Sequence, residues 1–295
     1  MRILILGSNG MIGHKLYQIF RKHHIDTWAI FRLTFDSDRL SDFFDKSKII
    51  DNCDLLDLEN LSKVLEKLNP DFILNASGVT IRRGVSDVYW KSILINSVIP
   101  NFLNDWVLKN NKRLIHFSTD CVFSGEKGFY NEEDFCDSDN IYGKSKALGE
   151  IFNSPNSLTL RSSMIGRELY NNTELLDWFL TQKNKSINGF DKVYYSGITT
   201  VRMANYVLQI VKQFPRMSGI YNVSSIEISK YDLLIKLNNY FENNTQINKD
   251  SSYYSNKVLN SQKFYSYTGF KQPNWEELII ELVDDCKNNY KYYKN

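Results

Sequence analysis

The sequence predicts an α/β protein, a doubly wound parallel sheet with a small C-terminal lobe. Three observations lead to this prediction. Apolar runs of strand length alternate with amphipathic stretches of helix length through the first half of the chain, which is typical of a parallel sheet covered by helices on both faces. A glycine-rich loop joins the first strand to the first helix. The 295 residues are enough for a large α/β unit with an added lobe.

The predicted elements follow in order along the chain. Strands are expected at 2–6, 25–31, 48–50, 71–77 and 113–118, with helices at 14–24, 58–68 and 88–110. Beyond residue 155 the pattern loosens, with a strand at 157–163 and helices near 174–183, 199–213, 229–241 and 274–289. We therefore predict a first domain over 1–160, to which the chain returns around 195–215, and a second lobe formed mainly by 161–295.

Composition excludes several classes of protein. The 36 Lys and Arg residues nearly balance the 34 Asp and Glu residues, for a net charge of +2, so no basic surface for nucleic acid is indicated. The first apolar run ends at Gly7, too soon for a signal peptide, and no apolar run is long enough to span a membrane. The four cysteines are scattered without a Cys-x-x-Cys pair, so neither a metal site nor a disulfide framework is predicted. We expect a cytoplasmic protein.

The first motif is a glycine-rich loop that follows a strand and opens a helix. Glycines there allow a tight turn and a close approach of the backbone to a diphosphate, and the helix N-terminus offers free N–H groups. A glycine-rich turn without a ligand is the alternative, but the position of the loop favours dinucleotide binding. The first domain is then of the dinucleotide-binding Rossmann type, and the second is the substrate-binding lobe. The expected contacts are Gly7, Asn9, Gly10, Met11, Ile12 and Gly13.

The end of the second strand indicates which dinucleotide binds. NAD sites usually carry an acidic residue there, about 20 residues beyond the loop, to hold the ribose 2′-hydroxyl. This strand ends at Arg32, whose guanidinium can pair with a 2′-phosphate. An ordinary surface arginine is the alternative, and Asp36 or Asp38 could still reach the ribose. We predict NADPH as the cofactor, with NADH as the alternative.

The third motif is a Tyr-x-x-x-Lys pair at Tyr142 and Lys146. Residues four apart share one face of a helix, although the spacing alone means little, since this chain of 18 tyrosines contains four such pairs. Tyr142 differs by its position at the start of the helix after the fifth strand, which ends in Ser118, Thr119 and Asp120. Because ligands bind at the carboxyl edge of open α/β sheets, we expect the active site there.

Together these motifs resemble the extended short-chain dehydrogenase/reductases. The stretch 118–150 is similar to the dTDP-4-dehydrorhamnose reductase family, and the segments 158–166, 195–200 and 259–278 fall where that family carries substrate-lobe signatures. The resemblance covers nearly the whole chain. It implies NADPH-dependent reduction of the 4-keto group of a nucleotide-activated 6-deoxyhexose, in the synthesis of precursors for cell-surface polysaccharides such as O antigen and lipopolysaccharide. The expected partners are the nucleotide sugar and, in a possible homodimer, a second copy.

The resemblance also implies roles for individual residues. Thr119, Tyr142 and Lys146 correspond to the catalytic residues of the family: Tyr142 would give a proton to the carbonyl oxygen, Thr119 would polarise it, and Lys146 would hold the ribose and lower the pKa of Tyr142. The further cofactor contacts that it implies are Asp54, Leu55, Asn75, Ala76, Ser77, Asn96, Ser118 and Ser162. The substrate contacts that it implies are Val79, Thr119, Asp120, Cys121 and Met164.

Two residues depart from the family pattern. Cys121 stands where the family usually has tyrosine, and Met164 where it usually has tryptophan. Both would lie near the sugar, and similar departures occur in branches of the family that act on UDP-linked 2-acetamido-2,6-dideoxy-4-keto sugars. Two alternatives stay open. One is a non-catalytic NADP-binding regulatory subunit resembling the methionine adenosyltransferase β subunit, and the other is an epimerase or dehydratase of the same superfamily.

Overall fold

The computed structural model describes residues 1–80, 88–170 and 173–293. Its strands are β1 (Arg2–Leu6), β2 (Asp26–Ile30), β3 (Ile49–Ile50), β4 (Phe72–Asn75), β5 (Arg113–Ser118), β6 (Ser157–Arg161), β7 (Met164–Ile165), β8 (Ser186–Phe190), β9 (Val193–Tyr195), β10 (Ile198–Thr199), β11 (Gly219–Asn222), β12 (Ile228–Ser229), β13 (Gln246–Asp250) and β14 (Ser255–Asn256). Its α-helices are α1 (Gly13–Lys22), α2 (Ser37–Leu40), α3 (Leu58–Leu68), α4 (Val88–Ile93), α5 (Ile99–Asn110), α6 (Ile141–Leu148), α7 (Leu175–Leu180), α8 (Thr200–Gln213), α9 (Lys230–Phe241), α10 (Gln262–Thr268) and α11 (Trp275–Asn288).

Seven of the described strands form one parallel sheet in the order β11-β6-β5-β4-β1-β2-β3. β1 pairs with β2 on one side and with β4 on the other, in the registers Leu4↔Trp28 and Leu6↔Asn75. The direction in which successive strands are added therefore reverses between β1 and β4. In an open α/β sheet, such a reversal leaves a crevice outside the carboxyl ends of the strands. The glycine loop after β1 and the turn after β4 border this crevice.

Alternate residues of β1 enter two separate apolar cores, one on each face of the sheet. Ile3 and Ile5 are fully buried in the core that α1, α8 and α11 cover, while Leu4 and Leu6 are fully buried in the core that α3 and α5 cover. Side chains of a strand alternate between its faces, and a parallel sheet covered on both sides needs apolar residues on both. The predicted fold class is confirmed.

The helix predicted over 88–110 is interrupted. A π-helical turn, Leu94–Val98, joins α4 to α5, and Pro100 then lies in the first turn of α5. Proline is tolerated at that position because the first N–H groups of a helix have no partner within it. The sequence does not predict β11, which pairs with β6 and completes the sheet.

The chain beyond residue 160 contributes to both parts of the molecule. α8 contacts α1, and β11 joins the large sheet. The other strands of this region form small sheets, in which β8 pairs with β13, β9 pairs with β12 and β14, and β7 pairs with β10. The boundary at residue 160 stays a prediction. Among the described residues, no helix has the length and apolar character needed to cross a membrane.

Candidate active site

The glycine loop at the crevice is packed too tightly for a side chain at two of its positions. Gly7 has a φ angle of +71°, and a Cβ atom there would lie 2.8 Å from the carbonyl carbon and oxygen of Ala76. A Cβ atom on Gly13 would overlap the carbonyl oxygen of Gly7. Both positions therefore require glycine. Ile12, the N-cap of α1, provides no capping side chain, so this helix N-terminus is open to a phosphate group.

Asn75, at the end of β4, shapes the turn that faces the glycine loop. Its side chain is fully buried. The amide oxygen accepts hydrogen bonds from the N–H and the hydroxyl of Ser77, at 3.2 and 2.5 Å, and the amide nitrogen lies 3.2 Å from Nδ1 of His116. Asn75 thus lies in the interior, and the residues directly after it that reach the crevice are Ala76, Ser77 and Gly78.

A cleft of about 350 Å³ opens at the carboxyl edge of the sheet. The glycine loop, the turn after β4, the end of β5, the start of α6 and the segment after β6 all reach it. Of the predicted site residues, those on its walls are Gly10, Met11, Ile12, Ala76, Ser77, Ser118, Thr119, Asp120, Cys121, Tyr142, Lys146, Ser162 and Met164. The fold therefore gathers motifs from separate parts of the sequence around one cavity.

Tyr142 is half-buried on the wall of this cleft. Burial raises the pKa of its phenol above the ordinary value, and negative charge on Cys121, Asp120 or Glu174 would raise it further, whereas a hydrogen bond with Thr119 lowers it. The sequence predicted that the Lys146 charge lowers this pKa, but the net shift is upward because burial is the largest influence. Tyr142 is therefore protonated across the neutral range.

Lys146 lies one helical turn beyond Tyr142, with only 4% of its side chain exposed. Its ammonium donates a hydrogen bond of 2.5 Å to the carbonyl oxygen of Phe117 in β5. Burial lowers the pKa of Lys146 to about 8, against the opposing effect of the Glu150 carboxylate. A cationic group is thus held at the cleft with a pKa close to neutrality.

Two asparagines position the helix that carries Tyr142 and Lys146. Asn140 caps α6 by accepting a hydrogen bond of 3.0 Å from the Gly143 N–H. Asn96, in the π-helical turn, is fully buried and bonds to both backbone groups of Val79, at 2.9 and 3.0 Å, and to the Ser145 hydroxyl at 3.0 Å. Asn96 and Val79, both predicted site residues, therefore connect the loop after β4 to α6 and lie outside the cleft walls.

The predicted contacts for the adenosine end of a dinucleotide lie apart from the cleft. Arg32, just after β2, and Asp54 are exposed, and the Asp54 carboxylate accepts a hydrogen bond of 3.0 Å from the backbone two residues on. Leu55 is buried in the core beneath α3. Asp36 caps α2, accepting a hydrogen bond of 3.2 Å from the backbone N–H three residues on. Asp36 is thus engaged as a cap, while the Arg32 guanidinium is available to a phosphate.

Residues 1–288 match the family described as the RmlD substrate binding domain. The chain belongs to this family. A dTDP-4-dehydrorhamnose reductase from Aggregatibacter actinomycetemcomitans is 28% identical to this RmlD-family chain over 250 residues, 80% of this chain and 78% of that protein. The methionine adenosyltransferase 2 subunit beta of Xenopus tropicalis is 25% identical over 244 residues, 79% of this chain and 70% of that protein. The dTDP-4-dehydrorhamnose reductase of Bacillus anthracis, solved in complex with NADP, has the same fold, with a TM-score of 0.79 at 19% identity over 96% of this chain and 99% of that one.

The two residues that the resemblance marked as departures, Cys121 and Met164, both line the cleft. Burial, and next the charge of Asp120, raise the pKa of the Cys121 thiol to about 11, so this residue is a protonated thiol at neutral pH and not a nucleophile. Met164 is partly buried in β7. Ser162 is buried, and its hydroxyl donates a hydrogen bond of 3.1 Å to the backbone of the next residue.

The cleft of this RmlD-family chain also includes side chains that are not among the predicted site residues. Lining residues from the chain after β7 include Glu168, Glu174, Tyr195 and Lys230. The Lys230 ammonium lies 3.6 Å from the centroid of the Tyr195 ring. Glu168 and Glu174 lie in one short segment, Tyr195 begins the segment 195–200, and Lys230 lies far beyond both in the chain. They share no motif of defined spacing. The one local signal is Ser229, whose hydroxyl caps α9 directly before Lys230.

Proposed function

We propose that this protein is an NADPH-dependent reductase that acts on the 4-keto group of a nucleotide-activated 6-deoxyhexose. The observation that carries the proposal is the convergence of the glycine loop, Thr119, Tyr142 and Lys146 on one cleft. A glycine loop beside a phenol and a buried ammonium is suited to carbonyl reduction by a bound nicotinamide. The name of the Aggregatibacter relative supports the same class of substrate.

The residues present fit a dinucleotide. The backbone from Gly7 to Gly13 and the N-terminus of α1 would hold the diphosphate, and Arg32 would hold the 2′-phosphate, which favours NADPH over NADH. Asp54 and Leu55 would border the adenine, and Lys146 would hold the nicotinamide ribose. When bound, the nicotinamide supplies a hydride to the carbonyl carbon.

Side chains of this protein supply the proton for the reduction and stabilise the charge that remains. The Tyr142 hydroxyl donates its proton to the carbonyl oxygen as the carbon is reduced. Because burial keeps the pKa of Tyr142 high, the phenol is in the donating form at neutral pH. The Thr119 hydroxyl orients the carbonyl oxygen beside the phenol. The Lys146 ammonium stabilises the phenolate that is left.

The two departures from the family pattern support a substrate with a bulky substituent on the sugar. Cys121 is smaller than the tyrosine usual in the family and is only a weak donor, and Met164 is more adaptable than tryptophan. We propose that the space they leave receives a 2-acetamido group, so that the substrate is a UDP-2-acetamido-2,6-dideoxyhexos-4-ulose. The product would then enter the synthesis of a cell-surface polysaccharide such as O antigen or lipopolysaccharide.

The test is the loss of NADPH absorbance with a panel of dTDP- and UDP-linked 4-keto-6-deoxyhexoses. We expect turnover of at least one sugar, its loss in Tyr142→Phe and its retention in Tyr253→Phe. Tyr253 is a matched control because it begins another Tyr-x-x-x-Lys pair but is 57% exposed. Binding of NADPH without reduction of any sugar in the panel would contradict the proposal.

That contradicting outcome would favour a second candidate, a non-catalytic NADP-binding subunit of a partner enzyme. The Xenopus methionine adenosyltransferase subunit, at 25% identity, is the observation that supports this candidate. Thr119, Tyr142 and Lys146 on one cleft weigh against it, although a fold and a cofactor site do not by themselves fix an activity. A test for co-purification with a methionine adenosyltransferase catalytic subunit separates the two.

We also propose a homodimer. Tyr89, Trp90 and Ile93 of α4 and the neighbouring Leu148 and Phe152 are all more than 40% exposed, and α4 contacts α6. A patch of this kind suits an interface between two copies. Light scattering at several protein concentrations tests the assembly. The cytoplasmic location stays a prediction.

A further inference from the structure

Tyr293, far from the glycine loop in sequence, packs against the helix that the loop opens. Its side chain is 5% exposed. Its hydroxyl lies 3.3 Å from Nε2 of His14 and 3.2 Å from Nζ of Lys15, the first residues of α1 after Gly13. Both of these partners are also buried. A polar cluster is therefore enclosed directly behind the candidate phosphate-binding loop.

The hydrogen bonds of this cluster have a defined direction. His14 Nδ1 lies 2.8 Å from the carbonyl oxygen of Gly10, which can only accept, so Nδ1 carries the hydrogen. Burial, with the charge of Lys15, lowers the pKa of His14 to about 3, so the ring is neutral and Nε2 accepts. The Lys15 ammonium can only donate, which directs the Tyr293 hydrogen towards His14. The chain of donors thus runs from Lys15 through Tyr293 and His14 to the Gly10 carbonyl.

Other elements hold this chain in place. The Lys15 ammonium forms an ion pair of 2.7 Å with Asp285 in α11. The Arg167 guanidinium lies 4.7 Å from the centroid of the Tyr293 ring and pairs with Asp177 at 2.6 Å. The Tyr293 ring and hydroxyl therefore have separate functions, since the ring packs under Arg167 and the hydroxyl bonds to α1.

We propose that Tyr293 is a positioning residue for NADPH, acting through His14 on the Gly10 carbonyl. The Gly10 N–H, in the peptide group on the other side of its Cα atom, donates a hydrogen bond of 2.9 Å to the Gly7 carbonyl. Hydrogen bonds on both sides of Gly10 thus fix the turn that would hold the diphosphate. The inference rests on the proposed binding of NADPH and is independent of the identity of the sugar.

The test is Tyr293→Phe, which keeps the ring and removes the hydroxyl. NADPH affinity, measured by fluorescence titration without sugar, is expected to weaken about three- to tenfold. The KM for NADPH should rise equally, while kcat and the KM for the sugar at saturating NADPH stay within twofold of the wild type. Tyr17→Phe is the matched control, because Tyr17 is a buried tyrosine of the same helix whose hydroxyl accepts a 3.0 Å hydrogen bond from the Asp45 N–H. It should lower the melting temperature without weakening NADPH binding.

A double variant tests the route through His14. If Tyr293 acts through this ring, Tyr293→Phe should weaken NADPH binding no further in a His14→Gln background. Unchanged NADPH affinity in Tyr293→Phe, equal losses in Tyr17→Phe and Tyr293→Phe, or independent effects in the double variant would each overturn the inference. Failure of the wild-type protein to bind NADPH would overturn the proposed function together with it.

Discussion

The Glu150 carboxylate and the Arg161 guanidinium form a bidentate ion pair, with N···O distances of 2.7 and 2.9 Å. Neither side chain has exposed surface. The same carboxylate accepts a hydrogen bond of 2.6 Å from the Ser118 hydroxyl. The pair thus connects the segment after α6 to β6 and β5, two strands whose ends border the cleft. Each charge depends on the other, because neither is solvated.

Glu150→Gln should destabilise the protein by about 3–5 kcal/mol, the usual effect of leaving a buried charge unpaired. Chemical denaturation measures the free energy of unfolding. The control is Glu59→Gln, which breaks the exposed Glu59–Lys63 pair of 2.6 Å and should change stability by less than about 1 kcal/mol. Similar losses in the two variants would contradict the importance of the buried pair.

Tyr142→Phe should reduce kcat by about two to four orders of magnitude, the typical contribution of a general acid. The ring and its packing stay, so the melting temperature and the affinity for NADPH should change little. Stopped-flow measurement of a single turnover isolates the chemical step. A variant that keeps more than half of the wild-type rate would refute the assignment of Tyr142 as the proton donor.

Lys146 should set the alkaline limit of the reaction. Its pKa is lowered to about 8, so the ammonium is present below that pH and is lost as the pH rises through it. We expect kcat/KM to fall above about pH 8. In Lys146→Arg the charge persists to high pH, so the fall should disappear although the overall rate is lower. Lys144→Arg, at an exposed position of the same helix, should leave the pH profile unchanged.

Arg32→Ala should discriminate between the two nicotinamide cofactors. If the exposed guanidinium binds the 2′-phosphate, the affinity for NADPH should fall about tenfold, or about 1.4 kcal/mol. NADH lacks that phosphate and is the internal control, so its affinity should hardly change. Titration of both cofactors on both proteins measures this. Equal losses would mean that Arg32 stabilises the end of β2.

Cys121→Tyr should weaken the proposed preference for an acetamido sugar. The added ring would exclude the larger ligand selectively, so kcat/KM should fall more for the UDP-2-acetamido substrate than for the dTDP-linked 6-deoxyhexos-4-ulose. Cys121→Ser, with nearly unchanged volume, is the control and should preserve the preference. A tenfold wild-type preference for the dTDP-linked sugar would refute the argument.

Much of the fold is predictable because local patterns dictate it. The run from Ile3 to Leu6 is apolar at every position, which is typical of a strand buried between two helical layers. β11 is different, since its four residues carry no alternation long enough to recognise. Its place depends on distant partners, including β6 and the Glu132 carboxylate, which accepts a hydrogen bond of 2.8 Å from the Asn222 N–H.

The residues of the candidate site also divide into those that the sequence predicts and those that it does not. Gly7, Tyr142 and Lys146 can be predicted because their spacing is combined with a defined position, directly after a strand and at the start of a helix. Lys230 and Tyr195 are not, because their proximity arises only from tertiary packing. The pKa of Tyr142 is missed for a related reason. A sequence shows which charges are near in the chain, but not how much water the fold removes, and burial is the largest influence here.

The position of β11 at the edge of the central sheet has a consequence for synthesis on the ribosome. β6 gains its outer neighbour only when Gly219–Asn222 has emerged. Until then its outward N–H and C=O groups are open to any other strand, including that of a second nascent chain. Expression of residues 1–160 alone would make that exposed edge permanent and promote aggregation. The nascent chain should therefore need chaperones until Gly219–Asn222 has emerged from the ribosome.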